Sequence, residues 1–395
     1  MQLSFNELQY VVGSPEIVEN MKNLKVLRPF DDLALAFLND LSALLRTNRE
    51  YSDVATFGFW CRKAAILKEK EKYDDISERL GKGIVFHSTP SNVPVNFAFS
   101  FASGLLAGNA NIVRLPGKPF SQVDIICNAI NELLKDKHKC LAPYIVFVKF
   151  PPVKEITDAF SSLCNVRVIW GGDMTVAELR KSPIPARTTE ITFADRHSIA
   201  VIDADAYLAE ENKNAVIQNF YNDTYFSDQN ACTSPRIIFW QGKNKEAAKE
   251  DFWKRVHESI INKYELAPVS AVGKLNALYA VACQKDVKLE KSEDMFITRL
   301  KVDRIDEDLM NYKYNCGFYF EKDIENLEEI VNVCDIKCQT LTYFGVNKED
   351  FKDFLEKARP IGIDRIVPMG KSMDFTLVWD GYDLIRQMSR KINII

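Results

Sequence analysis

Between residues 83 and 180 short apolar, β-branched runs alternate with stretches of helical period. Gly83-Ile-Val-Phe-His-Ser predicts a strand, and Pro90-Ser-Asn-Val-Pro94 a turn. Residues 97–106 predict a small-residue helix ending at Gly108-Asn109, a pair suited to closing a helix. Strands follow at 111–116, 144–150 and 166–170, with helices at 123–135 and 156–163 between them. The last strand runs into Gly171-Gly172 and a further helix over 173–179. Strand and helix repeating in this way argue for a mostly parallel sheet covered by helices, a nucleotide-binding topology.

A further strand at 198–202 is followed by Asp203-Ala-Asp205, from where the chain enters a second α/β region. It continues with helices at 212–219 and 246–263 and strands at 236–240, 316–320 and 338–345. The first 80 residues read as helical and accessory. An amphipathic pattern spans 33–46 and a charged helical one 60–80. After a strand-like Arg365-Ile-Val-Pro, the tail ends in a basic helix. The expected organisation is therefore an accessory segment over 1–80, a nucleotide-binding domain over 81–205, a thiol-bearing domain over 206–362 and a tail over 363–395 that returns to the cofactor domain or an oligomer interface.

Composition narrows the class. Of 395 residues, 47% are hydrophobic and 27% charged, as in an ordinary globular protein, and the net charge is −4. That balance gives no basic face for nucleic acid. The opening residues show no basic, then apolar, leader. The apolar stretch 93–113 approaches the length of a membrane span, but its Asn, Ser and Gly content predicts a buried helix rather than a span. Nine cysteines at irregular spacing, with no CxxC pair, predict free thiols in a cytoplasmic setting and no zinc site.

Three segments carry candidate chemistry. In Ser227-Asp-Gln-Asn-Ala-Cys232-Thr-Ser-Pro-Arg236 a cysteine sits in a polar segment with small neighbours before an apolar strand. It can be a reachable nucleophile or a structural loop thiol. Asn92 lies between two prolines, so its amide can serve an oxyanion or cap a turn. Gly171-Gly172 at a strand–helix junction lets a cofactor approach a helix N-terminus, and equally suits a plain tight turn. His197 can assist proton transfer or be structural.

In their order and spacing these segments resemble the aldehyde dehydrogenase superfamily. More closely they resemble the acyl-CoA reductase family of the LuxC type from bacterial bioluminescence. The resemblance is carried by SNVPVNFAFSFASGLLAGNANIVRLP (91–116), IWGGD (169–173), DQNACTSPR (228–236) and GIDRIVPMGKSMDF with WDGYDLI (362–385), and covers roughly 80–390. It implies an aldehyde-dehydrogenase-like α/β fold of two Rossmann-like domains with an oligomerisation segment. The implied activity is reduction of an acyl-CoA or acyl-protein thioester to a fatty aldehyde with NADPH, through an acyl-enzyme. Cys232 is then the nucleophile, Asn92 with the Cys232 backbone N–H the oxyanion hole, and Gly171, Gly172 and Thr175 border the cofactor. The family's partner is an acyl-protein synthetase, and the chain is expected to form a homo-oligomer.

Two departures from the superfamily matter. Oxidising aldehyde dehydrogenases place a Glu upstream of the nucleophile to activate water. Here Thr192 falls at that position, with Glu190 two residues away. Where the superfamily strand ends in Lys-Pro-Ser-Glu, this chain reads Arg114-Leu-Pro-Gly-Lys118. A cation there attracts the 2′-phosphate of NADPH, whereas a carboxylate repels it. Alternatives of other classes are an oxidising NAD(P)-dependent aldehyde dehydrogenase and a non-catalytic scaffold subunit of a synthetase complex.

Overall fold

The computed structural model describes residues 5, 8–90 and 93–395 and divides into two units. One unit contains the chain up to Ala194 together with Phe375–Ile395. The other is Asp195–Asp374.

The sheet of the first unit comprises β1 (Gln9–Val12), β2 (Ile84–Ser88), β3 (Ala110–Arg114), β4 (Ile145–Lys149), β5 (Val166–Trp170) and β6 (Thr189–Phe193), in the order β1-β4-β3-β2-β5-β6. Five strands are parallel, and β1 lies antiparallel on the edge beside β4. Among its helices are α1 (Asp32–Leu45), α2 (Asn96–Leu106), α3 (Ser121–Lys135), α4 (Lys154–Leu163) and α5 (Asp173–Arg180). β2 and β5 are wholly buried, as central strands covered on both faces are, and they bury His87, Ser88 and Arg167 alongside their apolar residues. Val85, Val113, Phe147 and Val168 face α1, α2 and α3. Their alternates Ile84, Phe86, Ile112, Val146 and Val148 face Phe160 of α4. Chain order runs outward from β2 through β3 to β4, then crosses to β5 and β6 on the other side. The carboxyl ends of β2 and β5 therefore form the switch point at which such sheets bind ligands.

The second unit is built on β7 (His197–Asp203), β8 (Pro235–Gln241), β9 (Lys288–Leu289), β10 (Thr298–Lys301), β11 (Phe318–Asp323), β12 (Cys338–Phe344) and β13 (Arg365–Pro368), ordered β9-β10-β11-β8-β7-β12-β13. All but the β9–β10 pair are parallel. Helices α6 (Lys213–Asp223), α7 (Lys245–Ile260) and α8 (Pro268–Ala282) accompany it. Ile199, Val201, Ile237 and Phe239 pack on one face, while Ala200, Ile202, Ile238 and Trp240 pack on the other. The buried Glu321 accepts hydrogen bonds from the indoles of Trp240 (2.9 Å) and Trp253 (2.7 Å) and from Arg299 (3.1 Å). Burial still raises its pKa.

The folds of both units bear out the alternating pattern. Three local expectations change. The N-terminal segment contributes β1 as well as helices. The helix expected over 60–80 is confined to Lys63–Lys70, because the charged run beyond it offers no apolar stripe to bury. The expected basic terminal helix is only Leu384–Met388, followed by the strand Ser389–Lys391 that pairs with Arg79–Gly81. As expected, the apolar stretch 93–113 divides into a helix, α2, and a strand, β3. No helix among the described residues is long and apolar enough to cross a membrane.

Candidate active site

The first unit offers an open edge at its switch point. β5 ends at Trp170, whose ring stacks on Phe193 at 3.6 Å. Its indole N–H donates to Ser100 Oγ at 3.0 Å. Ser100 Oγ also lies 2.7 Å from His87 Nδ1, and His87 Nε2 lies 3.0 Å from Asn111 Oδ1. Burial lowers the His87 pKa to about 4, so the ring is neutral. Asn111 uses its amide N–H on Asn109 O, leaving Oδ1 to accept. The proton is therefore on Nε2, and Ser100 donates to Nδ1. This relay fixes the end of β5 from which Gly171 and Gly172 lead into α5.

Gly172 caps α5 with extended backbone, and a Cβ on it would meet nothing within 4 Å. The space over the helix N-terminus is thus open to a ligand. A Cβ on Gly171 would lie 2.8 Å from Thr175 Cγ2, so Thr175 closes over that glycine. Arg114 ends β3 on the same edge, with its guanidinium 4.8 Å over the Phe150 ring and 3.4 Å from Phe150 O. Lys118 is exposed and has no hydrogen bond or ion pair with another described residue. Asn92 lies outside the described residues.

The second unit carries the thiol on the loop between α6 and β8, at the amino-terminal edge of its sheet. Asp228 and Gln229 both adopt left-handed backbone, φ 51° and 58°, as does Cys316 at 58°. Such non-glycine conformations cost on the order of 1 kcal/mol each and persist only where neighbours enforce them. The enforcing contacts are explicit. Buried Gln229 donates to Pro235 O (2.9 Å) and accepts from the N–H groups of Gly317 (2.9 Å) and Phe318 (3.2 Å). Asp228 O accepts from Cys316 N at 3.1 Å. The Arg236 guanidinium donates to Gln229 O and, at 2.7 Å, to Tyr314 O. Ser198 Oγ donates to Cys232 O at 2.7 Å while accepting from Thr340 N at 3.2 Å.

Cys232 is half-buried on this braced loop. Arg236, nearly enclosed, is lowered to about 10 by burial, against the opposing influence of Tyr319, Cys232, Cys316 and Asp195. It remains a cation at neutral pH, close enough to interact electrostatically with Cys232. Among the other thiols, burial pushes Cys127 and Cys164 up to about 12 and raises Cys61 far above its usual range. Cys338 is raised as well, first by its hydrogen bond with Cys334 and then by burial. Buried His197 approaches Val333 O at 3.2 Å, which fits the structural role.

Glu190 is engaged elsewhere. It pairs with Arg167 directly opposite on β5 and with Arg180 of α5 at 2.7 Å, and these cations hold it below the usual carboxylate range despite its burial. Arg236 and Gln229 both stand within the segment quoted around Cys232 without an assigned role there, and Asp223 lies in no segment singled out from the sequence. The one available signal was a charge at the start of an apolar strand.

The architecture is that of aldehyde dehydrogenases. An oxidoreductase from Marinobacter aquaeolei superimposes with a TM-score of 0.67 at 12% identity, over 95% of this chain and 88% of that one. An aldehyde dehydrogenase from Physcomitrella patens gives 0.66 at 12%, over 95% and 87%. Within that class the chain belongs to the acyl-CoA reductase (LuxC) family, whose model matches residues 61–391. It is 24% identical over 336 residues to a long-chain acyl-protein thioester reductase of Vibrio harveyi. That match takes in 80% of this chain and 64% of the relative, so the chain spans less than two thirds of the relative's length.

Proposed function

We propose that this protein reduces a fatty acyl thioester, carried by CoA or by a protein, to the aldehyde through an acyl-enzyme on Cys232. The observation that carries the reading is the thiol loop. Cys232 is half-exposed on a backbone clamped by Gln229, Ser198 and Arg236, and the buried guanidinium favours the thiolate. The thiolate attacks the acyl carbonyl, the carrier thiol departs with the proton, and the thioester stays on Cys232. Asn92 and the Cys232 N–H would receive the oxyanion.

The cofactor is NADPH in this reading, and it supplies hydride when bound. The open ground above Gly172 suits a dinucleotide at the α5 N-terminus. Gly171, Gly172 and Thr175 would border it, while Lys118 and Arg114 would attend its 2′-phosphate. With Glu190 committed to two arginines and Thr192 in the superfamily's base position, no carboxylate is assigned to activate water, which favours a reductase over a hydrolytic dehydrogenase. The name of the Vibrio relative supports a long acyl chain carried by a protein, and an acyl-protein synthetase as its donor follows from the family resemblance.

The test follows NADPH absorbance with tetradecanoyl-CoA while assaying free aldehyde. Stoichiometric aldehyde supports the reading. Absence of turnover with CoA and acyl-carrier thioesters alike overturns it.

A further inference from the structure

The loop 369–374, which follows β13, is held from two sides. The buried carboxylate of Asp223, at the end of α6, accepts from Gly370 N at 2.6 Å and Ser372 N at 3.0 Å. Arg365 of β13 donates to Ser372 O at 2.9 Å and to Asp374 O at 3.0 Å. An anion therefore takes the loop's N–H groups and a cation takes its carbonyls. Gly370 lies at φ +89°, and a Cβ there would come within 2.6 Å of the Asn219 side chain, so the loop is also pressed onto α6. Two ionic groups are a large investment in six residues, since buried charges are costly unless fully partnered.

What this loop presents is Met373. Its sulfur accepts a hydrogen bond from Thr233 Oγ1 at 3.2 Å, and Thr233 adjoins Cys232. The Met373 side chain is nevertheless 43% exposed. On the turn that opens the thiol loop, Phe226 is 57% exposed. Met373 and Phe226 thus present apolar side chains to solvent on two segments beside the polar thiol loop, where they suit an apolar ligand. The thioether is unbranched and adaptable, a good surface for a flexible alkyl chain.

We propose that Met373 is a specificity-determining residue, the wall along which the alkyl chain of a Cys232-bound acyl group lies, with Asp223 and Arg365 as positioning residues that hold it there. This rests on the acyl-enzyme reading above. A longer chain covers more of the wall, so Met373 discriminates between chain lengths.

The experiment compares kcat/KM for butanoyl-CoA and tetradecanoyl-CoA in wild type, Met373→Gln and Met373→Leu, using the full chain. Gln keeps the length and removes the apolar character, whereas Leu keeps the apolar character. The tetradecanoyl-to-butanoyl ratio should fall about tenfold in Met373→Gln. It should stay within about twofold of wild type in Met373→Leu. An unchanged ratio in Met373→Gln, whether or not overall activity drops, overturns the assignment of Met373 and leaves the acyl-enzyme reading standing. A wild type that reduces neither thioester, and forms no covalent acyl adduct, overturns that reading and this proposal together.

Discussion

Arg167 and Glu190 stand opposite one another on β5 and β6, and the carboxylate of Glu190 also receives Arg180 at 2.7 Å. Arg167 is enclosed and donates in addition to Leu179 O (3.1 Å) and Ser182 O (2.8 Å). The carboxylate nearest in sequence to the superfamily's water-activating position is thus part of the frame of the first unit. Glu190→Gln should leave thioester reduction within about twofold, and it should cost about 2–4 kcal/mol in stability because a buried cation loses its partner. Parallel activity and denaturant-unfolding measurements check this. A large loss of activity with unchanged stability would mean that Glu190 acts in the chemistry.

Because no carboxylate is assigned to activate water, the acyl-enzyme should persist. Incubation with a long-chain aldehyde and NADP⁺ should yield little free acid until a thiol acceptor such as CoA is supplied. Rapid multiple-turnover acid formation without acceptor would assign the protein to the oxidising class.

Cys232→Ala should abolish covalent labelling by radiolabelled acyl-CoA, and Cys164→Ala and Cys316→Ala should retain it. Cys164 is buried with its pKa raised to about 12, and Cys316 is buried too, so neither offers an accessible nucleophile. Labelling that survives in Cys232→Ala would remove Cys232 from the mechanism.

Lys118 is exposed and without a partner among the described residues, whereas Arg114 is engaged with Phe150. Of the two cations, Lys118 is the freer to reach a phosphate. Lys118→Glu should raise KM for NADPH by one to two orders of magnitude, on the order of a lost charge-assisted contact of ~1.5–3 kcal/mol, and leave KM for NADH nearly unchanged. An equal response of the two cofactors would place the preference elsewhere.

His87 gives a pH signature. Its pKa is lowered from 6.5 to about 4 by burial, so between those values the unfolded chain binds a proton that the folded one does not. Its contribution is intact above about pH 6.5 and declines as pH falls toward 4, by roughly 3 kcal/mol in all. Chemical denaturation from pH 7 to 4 should show this slope in wild type and a shallower one in His87→Gln. Identical slopes would show that His87 is not the group responsible.

The strands buried on both faces are legible in the sequence, which points to them without help from the fold. Ile84–Phe86 and Val168–Trp170 are unbroken apolar, largely β-branched runs, and such runs have few alternatives to the centre of a parallel sheet. The sequence also shows the glycine pair after β5 and the family resemblance around Cys232. It did not reveal α8, whose Pro-Val-Ser-Ala-Val-Gly run has little periodic contrast, or β1, whose partner β4 lies more than 130 residues away. Which polar groups meet is set by how the layers pack. Arg167 finding Glu190, Arg236 finding the Gln229 carbonyl, and Asp223 finding the N–H groups of Gly370 and Ser372 across some 147 residues are pairings of buried groups. Nothing local selects them. They follow from the requirement that a buried charge be partnered once the hydrophobic layers have fixed where each strand ends.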